Sequence, residues 1–214
     1  MKEIDSKKLY DLLYKEFVSK NDNAYNISCV KHENGCLYAS DAHILAKVEY
    51  NYPQEMDGKA FDINGNQIAP KVNYDAVIPA KSEYDHYLTD EEINNIKIAA
   101  KKVYRVGKGN FKAVIDIGLP HMNKGEKMFI ITFKAAYLNS AFKLFNIIGD
   151  NPKIRICNSH TPIIIFEGIK SDTIILCMPT LSDVNEDTRI YPTFTVNEAI
   201  EYEKPPKETK VWYE

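Results

Sequence analysis

The segment that decides the fold is Leu37-Tyr38-Ala39-Ser40-Asp41-Ala42-His43-Ile44-Leu45-Ala46, in which two apolar runs flank a short polar turn. Just before it, Asn34-Gly35 is a pair typical of two-residue hairpin turns, because both residues tolerate positive φ. After the turn, apolar and charged side chains alternate, as they do in a half-buried strand. The pattern predicts three antiparallel strands over Tyr25–His32, Cys36–Ala39 and Ile44–Tyr50.

Three other segments have the apolar period of an amphipathic helix. They are predicted over about Ser6–Val18, Thr89–Arg105 and Lys134–Ile148. Ser6 is the expected N-cap of the first helix. Thr89-Asp90-Glu91-Glu92 opens the second as a capping box, and Gly149 ends the third.

The remaining segments predict short strands separated by turn residues. A second hairpin turn, Asn64-Gly65, lies between Phe61–Ile63 and Gln67–Ile68, and no helix is expected between residues 50 and 89. Five later strands are predicted over Phe111–Gly118, Met128–Phe133, Lys153–Cys157, Pro162–Glu167 and Thr173–Met178. Short antiparallel strands with one helix per unit predict an α+β fold with helices on one face of the sheets. We expect one unit over residues 1–80, a second over 81–181, and an acidic tail over 182–214.

The composition is that of an ordinary globular protein. The 214 residues are 44% hydrophobic and 27% charged, so the chain can bury a core without disulfides or metal. The apolar runs are strand-sized and too short to span a membrane. Because the N-terminus has no apolar signal core, we expect a cytoplasmic protein. The four cysteines are expected to be reduced core thiols, since they include no C-x-x-C pair: Cys29, Cys36, Cys157 and Cys177.

Positive charge is concentrated in one stretch although the net charge is −3. Residues 93–115 contain six basic side chains and no acidic one. Within the second predicted helix, Lys97, Lys101 and Arg105 recur at intervals of four and therefore share one face. A local basic face matters more for phosphate contact than the total charge, although a solvated helix face is an equally simple interpretation.

The segment from Leu37 to Ala46 resembles the A-T-D-G-H-R-L-A signature of the beta sliding clamp of bacterial DNA polymerase III. The run from Phe129 to Thr180 resembles the last half-domain of the same clamp. It contains a Y-L helix (Tyr137-Leu138), a Gly-Asp turn (Gly149-Asp150) and the pattern S-x-x-P-I-I-I over residues 159–165. Its closing strand ends in Met-Pro-Thr, where the clamp has M-P-M, and residues 73–79 are similar to the connector between clamp domains.

This resemblance implies a pocket for a partner. In the family, the turn and the closing strand face each other and line an apolar pocket for the short clamp-binding peptide of polymerases and loaders. The matching positions are Ser40, Ala42, His43, Leu45, Leu176, Met178, Pro179 and Thr180. Ala42 replaces the glycine of the turn, so an altered turn geometry is expected. Ile44 and Thr180 also depart from the family pattern.

The resemblance also implies contact with duplex DNA. Sliding clamps place their helices inside a ring, where basic side chains contact phosphates without reading bases. The candidate DNA-binding residues are Lys97, Lys101, Lys102, Arg105, Lys108 and Lys112. A chain this short would need several copies to close a ring, so a homo-oligomer is expected. Neither catalysis, a cofactor nor a metal is implied.

Other functions compete with this one. A clamp-derived interaction module could bind replication partners without encircling DNA. An enzyme would need coupled titratable groups in a polar pocket, and Asp41 with His43 lacks an accompanying nucleophile motif. A zinc site at Cys29, His32 and Cys36 lacks a closed ligand set. Asp62–Asn66 is better interpreted as a hairpin than as a calcium loop.

Overall fold

The computed structural model describes residues 4–20, 25–82, 85–106, 114–120, 128–157, 163–180 and 193–195. The chain forms two compact units, one made of Met1–Leu88 and Tyr137–Pro179 and the other of Thr89–Ala136 and Thr180–Glu214. This division differs from the predicted ranges 1–80 and 81–181, because strands from both ranges pair in a single sheet. Among the described residues, no helix is both long and apolar enough to cross a membrane.

The described residues form four α-helices and twelve strands. The helices are α1 (Ser6–Glu16), α2 (Tyr74–Val77), α3 (Asp90–Val106) and α4 (Ala135–Ile148), with a 3₁₀ turn at Gln54–Met56. The strands are β1 (Val30–Glu33), β2 (Cys36–Ser40), β3 (Ile44–Glu49), β4 (Ala60–Phe61), β5 (Gln67–Ile68), β6 (His86–Tyr87), β7 (Val114–Pro120), β8 (Met128–Lys134), β9 (Pro152–Cys157), β10 (Ile163–Gly168), β11 (Ile174–Cys177) and β12 (Thr193–Thr195).

Several local predictions are confirmed and others are wrong. The hairpin turn at Asn34-Gly35 has φ of +51° and +73°, and the capping box joins the Thr89 amide to Glu92 at 2.7 Å. The first helix is capped by Asp5 rather than Ser6, since the Asp5 carboxylate accepts the Lys8 amide. The first strand is shorter than predicted, and helix α2 lies where none was expected.

The first unit contains a nine-stranded antiparallel sheet with the order β5-β4-β1-β2-β3-β11-β10-β9-β6. The β3–β11 pairing, with Ile44 opposite Cys177, joins the early hairpin to the closing strands. Residues directly opposite each other in antiparallel strands point to the same face, and successive residues point to opposite faces. Each face of this sheet therefore has its own set of side chains and its own cover.

Helices α1 and α4 cover one face. The Tyr10 hydroxyl of α1 is 2.7 Å from the His32 ring on β1, and Phe142 and Phe145 of α4 contact Phe166 on β10. The two helices also touch, because Ser140 donates a hydrogen bond to the buried Glu16 carboxylate. The prediction that the helices lie on one face is confirmed for these two helices.

Residues 69–82, hereafter the connector, cross the opposite face. Tyr74 of the connector is buried in an apolar cluster, with Val72 and Ile78 packed against it. The other buried members of this cluster are Ile27, Cys36, Tyr38, Leu45, Cys157, Ile165 and Leu176. The sheet is therefore enclosed on both sides, by helices on one face and by the connector on the other.

The second unit pairs helix α3 with a three-stranded sheet of order β12-β7-β8. Strands β7 and β8 are antiparallel, whereas β12 from the predicted tail pairs with β7 in parallel. The apolar stripe of α3 is buried at Ile96, Ala99, Ala100 and Val103, and strand β7 contacts the helix. The apolar period of the sequence predicts a stripe of Ile93, Ile96, Ala100 and Val103. The last three are buried as predicted, whereas Ile93 is only half-buried.

Candidate partner-binding cleft and basic helix

The turn between β2 and β3 is held by its own side chains. The Asp41 carboxylate accepts the amides of His43 and Ile44, both at 2.9 Å. The Ser40 hydroxyl accepts the Ala42 amide at 3.1 Å and donates to the Ile44 carbonyl at 2.9 Å. Ala42 has a φ of +76°, so the alanine keeps the left-handed backbone that a glycine would adopt freely. The substitution for glycine therefore leaves a strained but well-bonded turn.

This turn lies against the end of strand β11. The Met178 amide donates to the His43 carbonyl at 2.8 Å, one step beyond the Ile44–Cys177 pair. The two segments that carry the family resemblance are thus adjacent within the first unit, although more than a hundred residues separate them in the chain. Together they form the rim of the candidate cleft.

Tyr137 of α4 completes the rim, although it is not among the eight pocket residues predicted from the sequence. Its hydroxyl donates to Asp41 at 2.9 Å, and its ring is nearly parallel to the His43 ring at 6.4 Å between centroids. Burial, followed by the Asp41 charge, raises the pKa of Tyr137, so the hydroxyl stays protonated and can donate. The Y-L pattern contained this tyrosine, but no local signal pairs it with a residue 96 positions away.

Exposure divides the eight predicted pocket residues. Ala42 and His43 are exposed, and Met178 and Pro179 are half-buried. Three others, Ser40, Leu45 and Leu176, are buried, and the two leucines belong to the cluster that includes Tyr74 of the connector. Thr180 belongs to the second unit, where its amide donates to the Thr132 carbonyl of β8.

The basic residues of α3 occupy its solvent-facing side. Four of the six candidates lie on this helix and are exposed: Lys97, Lys101, Lys102 and Arg105. Acidic residues are confined to its first turn, so positive charge increases toward its C-terminal end. Lys108 and Lys112 lie outside the described residues.

The residues considered for a zinc or a calcium site form hydrogen bonds within the fold. The two ring nitrogens of His32 contact the Tyr10 hydroxyl and the Lys59 carbonyl, and burial lowers the pKa of this histidine. Cys29 contacts the Asn26 carbonyl, and burial raises the pKa of its thiol to about 11. In the part of the chain that the structure describes, no three His, Cys, Asp or Glu side chains could hold a metal ion together. The Asp62 carboxylate accepts the Asn64 and Asn66 amides, which makes the segment a hairpin turn.

With its helix-backed antiparallel sheet, the chain has an α+β fold of the DNA-clamp-like class. Within that class, the chain has the fold of the bacterial DNA polymerase III beta sliding clamp. It is similar to the beta subunit from DNA polymerase of Streptococcus pyogenes (TM-score 0.54, 9% identity, 85% of this chain and 68% of that one). It also resembles the DNA polymerase sliding clamps of Bacillus subtilis (0.53, 12%, 85% and 66%) and Pseudomonas aeruginosa (0.51, 15%, 83% and 65%).

At these sequence identities, the likenesses show a shared fold and do not by themselves show a shared function. The chain spans about two thirds of the length of the sliding clamps that it resembles. No protein-family model matches the sequence. No curated protein matches it either.

Proposed function

We propose that this chain is a cytoplasmic, non-catalytic processivity or tethering factor that contacts duplex DNA through α3 and binds a partner peptide beside His43. The observation that carries the proposal is the hydrogen bond between Met178 and His43, because it brings together the two segments to which the resemblance assigns a peptide pocket. An apolar cleft with the Met178 thioether and the Pro179 ring can hold the hydrophobic anchors of an extended peptide.

The DNA-binding part of the proposal is supported by the exposed basic side of α3. Contacts with phosphates alone give binding without sequence preference and with a strong dependence on salt. Several copies of the chain would surround the duplex, so a homo-oligomer is part of the proposal. A measurement of solution mass with and without DNA tests this self-association.

Charge reversal tests the DNA contact. A triple variant carrying Lys97→Glu, Lys101→Glu and Arg105→Glu should lose measurable affinity for a duplex of arbitrary sequence. A matched control carries Lys59→Glu, Lys71→Glu and Lys153→Glu, which make the same change in net charge at exposed positions of the first unit. The control should retain binding, and milder single neutralisations on α3 should each flatten the salt dependence by about one unit of slope. Equal affinities of the two triple variants would reject the role of α3.

A second candidate is an interaction module that binds replication partners without encircling DNA. One observation favours it: seven of the eight predicted pocket residues, all except Thr180, lie in the first unit. Peptide binding would then need neither a ring nor α3. A monomer that binds the clamp-binding peptide of a bacterial DNA polymerase, but has no affinity for duplex DNA, would select this function.

A further inference from the structure

The apolar half of the candidate cleft is already occupied by the chain itself. Leu45 and Leu176 are 3% and 1% exposed, because they belong to the cluster that Tyr74 of the connector completes. These leucines are opposite each other in the β3–β11 pairing, on the face that the connector crosses. A partner peptide that used them as anchors would have to take the place of the connector.

One end of the connector is fixed by a buried arginine. Arg155 of β9 is 2% exposed and donates to the Pro79 carbonyl at 2.9 Å and to Asp85 at 2.6 Å. It also donates to Glu167 at 2.8 Å, and Glu167 pairs with Lys81 at 3.0 Å. Breaking a buried ion pair of this kind leaves a buried charge without its partner, which is costly. This end of the connector is therefore expected to stay in place.

The middle of the connector is held by a weaker contact. Asp75 pairs with Lys47 of β3 at 2.8 Å and accepts the Tyr38 hydroxyl at 3.1 Å. The Asp75 and Lys47 side chains are 49% and 23% exposed, and ion pairs this close to solvent contribute little. The connector therefore has a strong anchor at residue 79 and a releasable one at residue 75.

Tyr74 makes the position of the connector against the sheet, hereafter the closed arrangement, less favourable than the burial of its ring alone suggests. Its ring stacks on Tyr38 at 5.5 Å between centroids, which favours closure. Its hydroxyl is buried and has no hydrogen-bond partner among the described residues. A buried hydroxyl without a partner is costly, and lifting the connector would return it to water.

We propose that the connector is an intramolecular occupant of the cleft, released at Asp75 and hinged at Arg155, and that a partner peptide reaches Leu45 and Leu176 only when it lifts. The inference rests on the proposed peptide-binding function. It adds regulation to that function, since the observed affinity for a peptide is the intrinsic affinity reduced by the fraction of molecules that are open.

Two thiols under the connector report its opening without any ligand. Cys36 and Cys157 belong to the covered cluster, whereas Cys177 follows Leu176 and points to the helix-covered face. With excess N-ethylmaleimide and peptide mapping by mass spectrometry, Cys36 and Cys157 should be labelled at least tenfold faster than Cys177 in the native full-length protein. Asp75→Ala should accelerate the labelling of Cys36 and Cys157 by about twofold and leave that of Cys177 unchanged.

The matched control is Lys8→Ala. It removes the Lys8–Asp5 ion pair, which has a length of 2.9 Å, is also exposed and lies at the start of α1, on the opposite face of the sheet from the connector. Labelling in this variant should equal that of the unmodified protein. If Asp75→Ala does not accelerate the labelling of Cys36 and Cys157, or accelerates all three thiols equally, the inference is overturned.

A peptide measurement separates this inference from the proposed function. The probe is a fluorescein-labelled copy of the clamp-binding peptide of a bacterial DNA polymerase. Asp75→Ala should increase its affinity by the same factor, about twofold, by which it accelerates thiol labelling. Equal affinities despite faster labelling would overturn gating alone. The absence of binding to both proteins despite faster labelling would overturn peptide binding, and gating with it.

Discussion

The two faces of the nine-stranded sheet are covered in different ways. Helices α1 and α4 satisfy their own backbone hydrogen bonds, so they can present aromatic and aliphatic side chains such as Phe142 and Phe145 to the sheet. The connector contains a single helix of four residues and relies on side-chain anchors, chiefly Arg155 and Asp75. Stability is therefore expected to come mainly from the helix face, and adjustable recognition from the connector face.

The strongest test of this difference is Arg155→Met. The variant leaves Asp85 without its partner, and both side chains are 2% exposed. A buried carboxylate left unpaired should lower the free energy of unfolding by about 3–5 kcal/mol, measured by urea denaturation. Adding Asp85→Leu should restore most of the loss, because the uncompensated charge is then removed. A loss in the double variant as large as that in the single one would show that Arg155 acts by packing rather than by charge.

Ala42 lies in the turn between β2 and β3 and is part of neither the helices nor the connector that cover the sheet. An alanine in the left-handed region is strained by about 1–2 kcal/mol. Glycine removes this strain, but it also makes the unfolded chain more flexible, which costs about 0.4–1 kcal/mol of stability. Ala42→Gly should therefore stabilise the protein by about 0.5–1 kcal/mol.

Thermal or urea unfolding measures this gain, and Ala69→Gly is the matched control. Ala69 is also exposed, and its φ is not positive, so glycine at this position should destabilise the protein slightly. Since Ala42 touches neither cover, the relative labelling rates of Cys36 and Cys177 should not change. Destabilisation by Ala42→Gly would mean that the strain is already relieved by the bonds from Ser40 and Asp41.

The sequence predicted the parts of the fold that depend on neighbouring residues. Asn34-Gly35 and the Thr89–Glu92 capping box are local signals, and both formed as expected. The division into units was not predictable in this way, since β3 and β11 are distant in the chain and their pairing has no local signature. The prediction of two successive units followed sequence order, whereas the sheet combines the first and last parts of the chain.

The candidate site was predictable to a similar extent. The resemblance identified both segments of the rim, but it assigned Leu45 and Leu176 to an open pocket that the connector covers. In the sequence, the connector is marked only by loop-forming residues such as Pro70 and Pro79. These residues predict a loop but do not indicate which surface of the sheet the loop crosses. Arg155, which fixes its course, is a single charged residue in an apolar strand, and its partners become visible only in three dimensions.

The smallest expected effect concerns the releasable anchor and its dependence on pH. The hydrogen bond from Lys47 holds the pKa of Asp75 below its usual range. The contribution of this contact is therefore present above about pH 4, the ordinary range of an aspartate, and is lost as the pH falls through the lower pKa of the folded state. Because the side chain is half exposed, the contribution should be only about 0.5 kcal/mol.

Amide hydrogen exchange of residues 74–78 detects this small change. Exchange corrected for its intrinsic pH dependence should be slower in the unmodified protein than in Asp75→Asn at about pH 6, by roughly twofold, and the two should converge only as the pH falls below the lowered pKa of Asp75. Lys8→Gln, which weakens the exposed Lys8–Asp5 pair on α1, serves as the control and should leave the exchange of the connector unchanged. A difference that persists at low pH would assign the effect to the shape of Asp75 rather than to its charge, and the connector face would then be held by packing, as the helix face is.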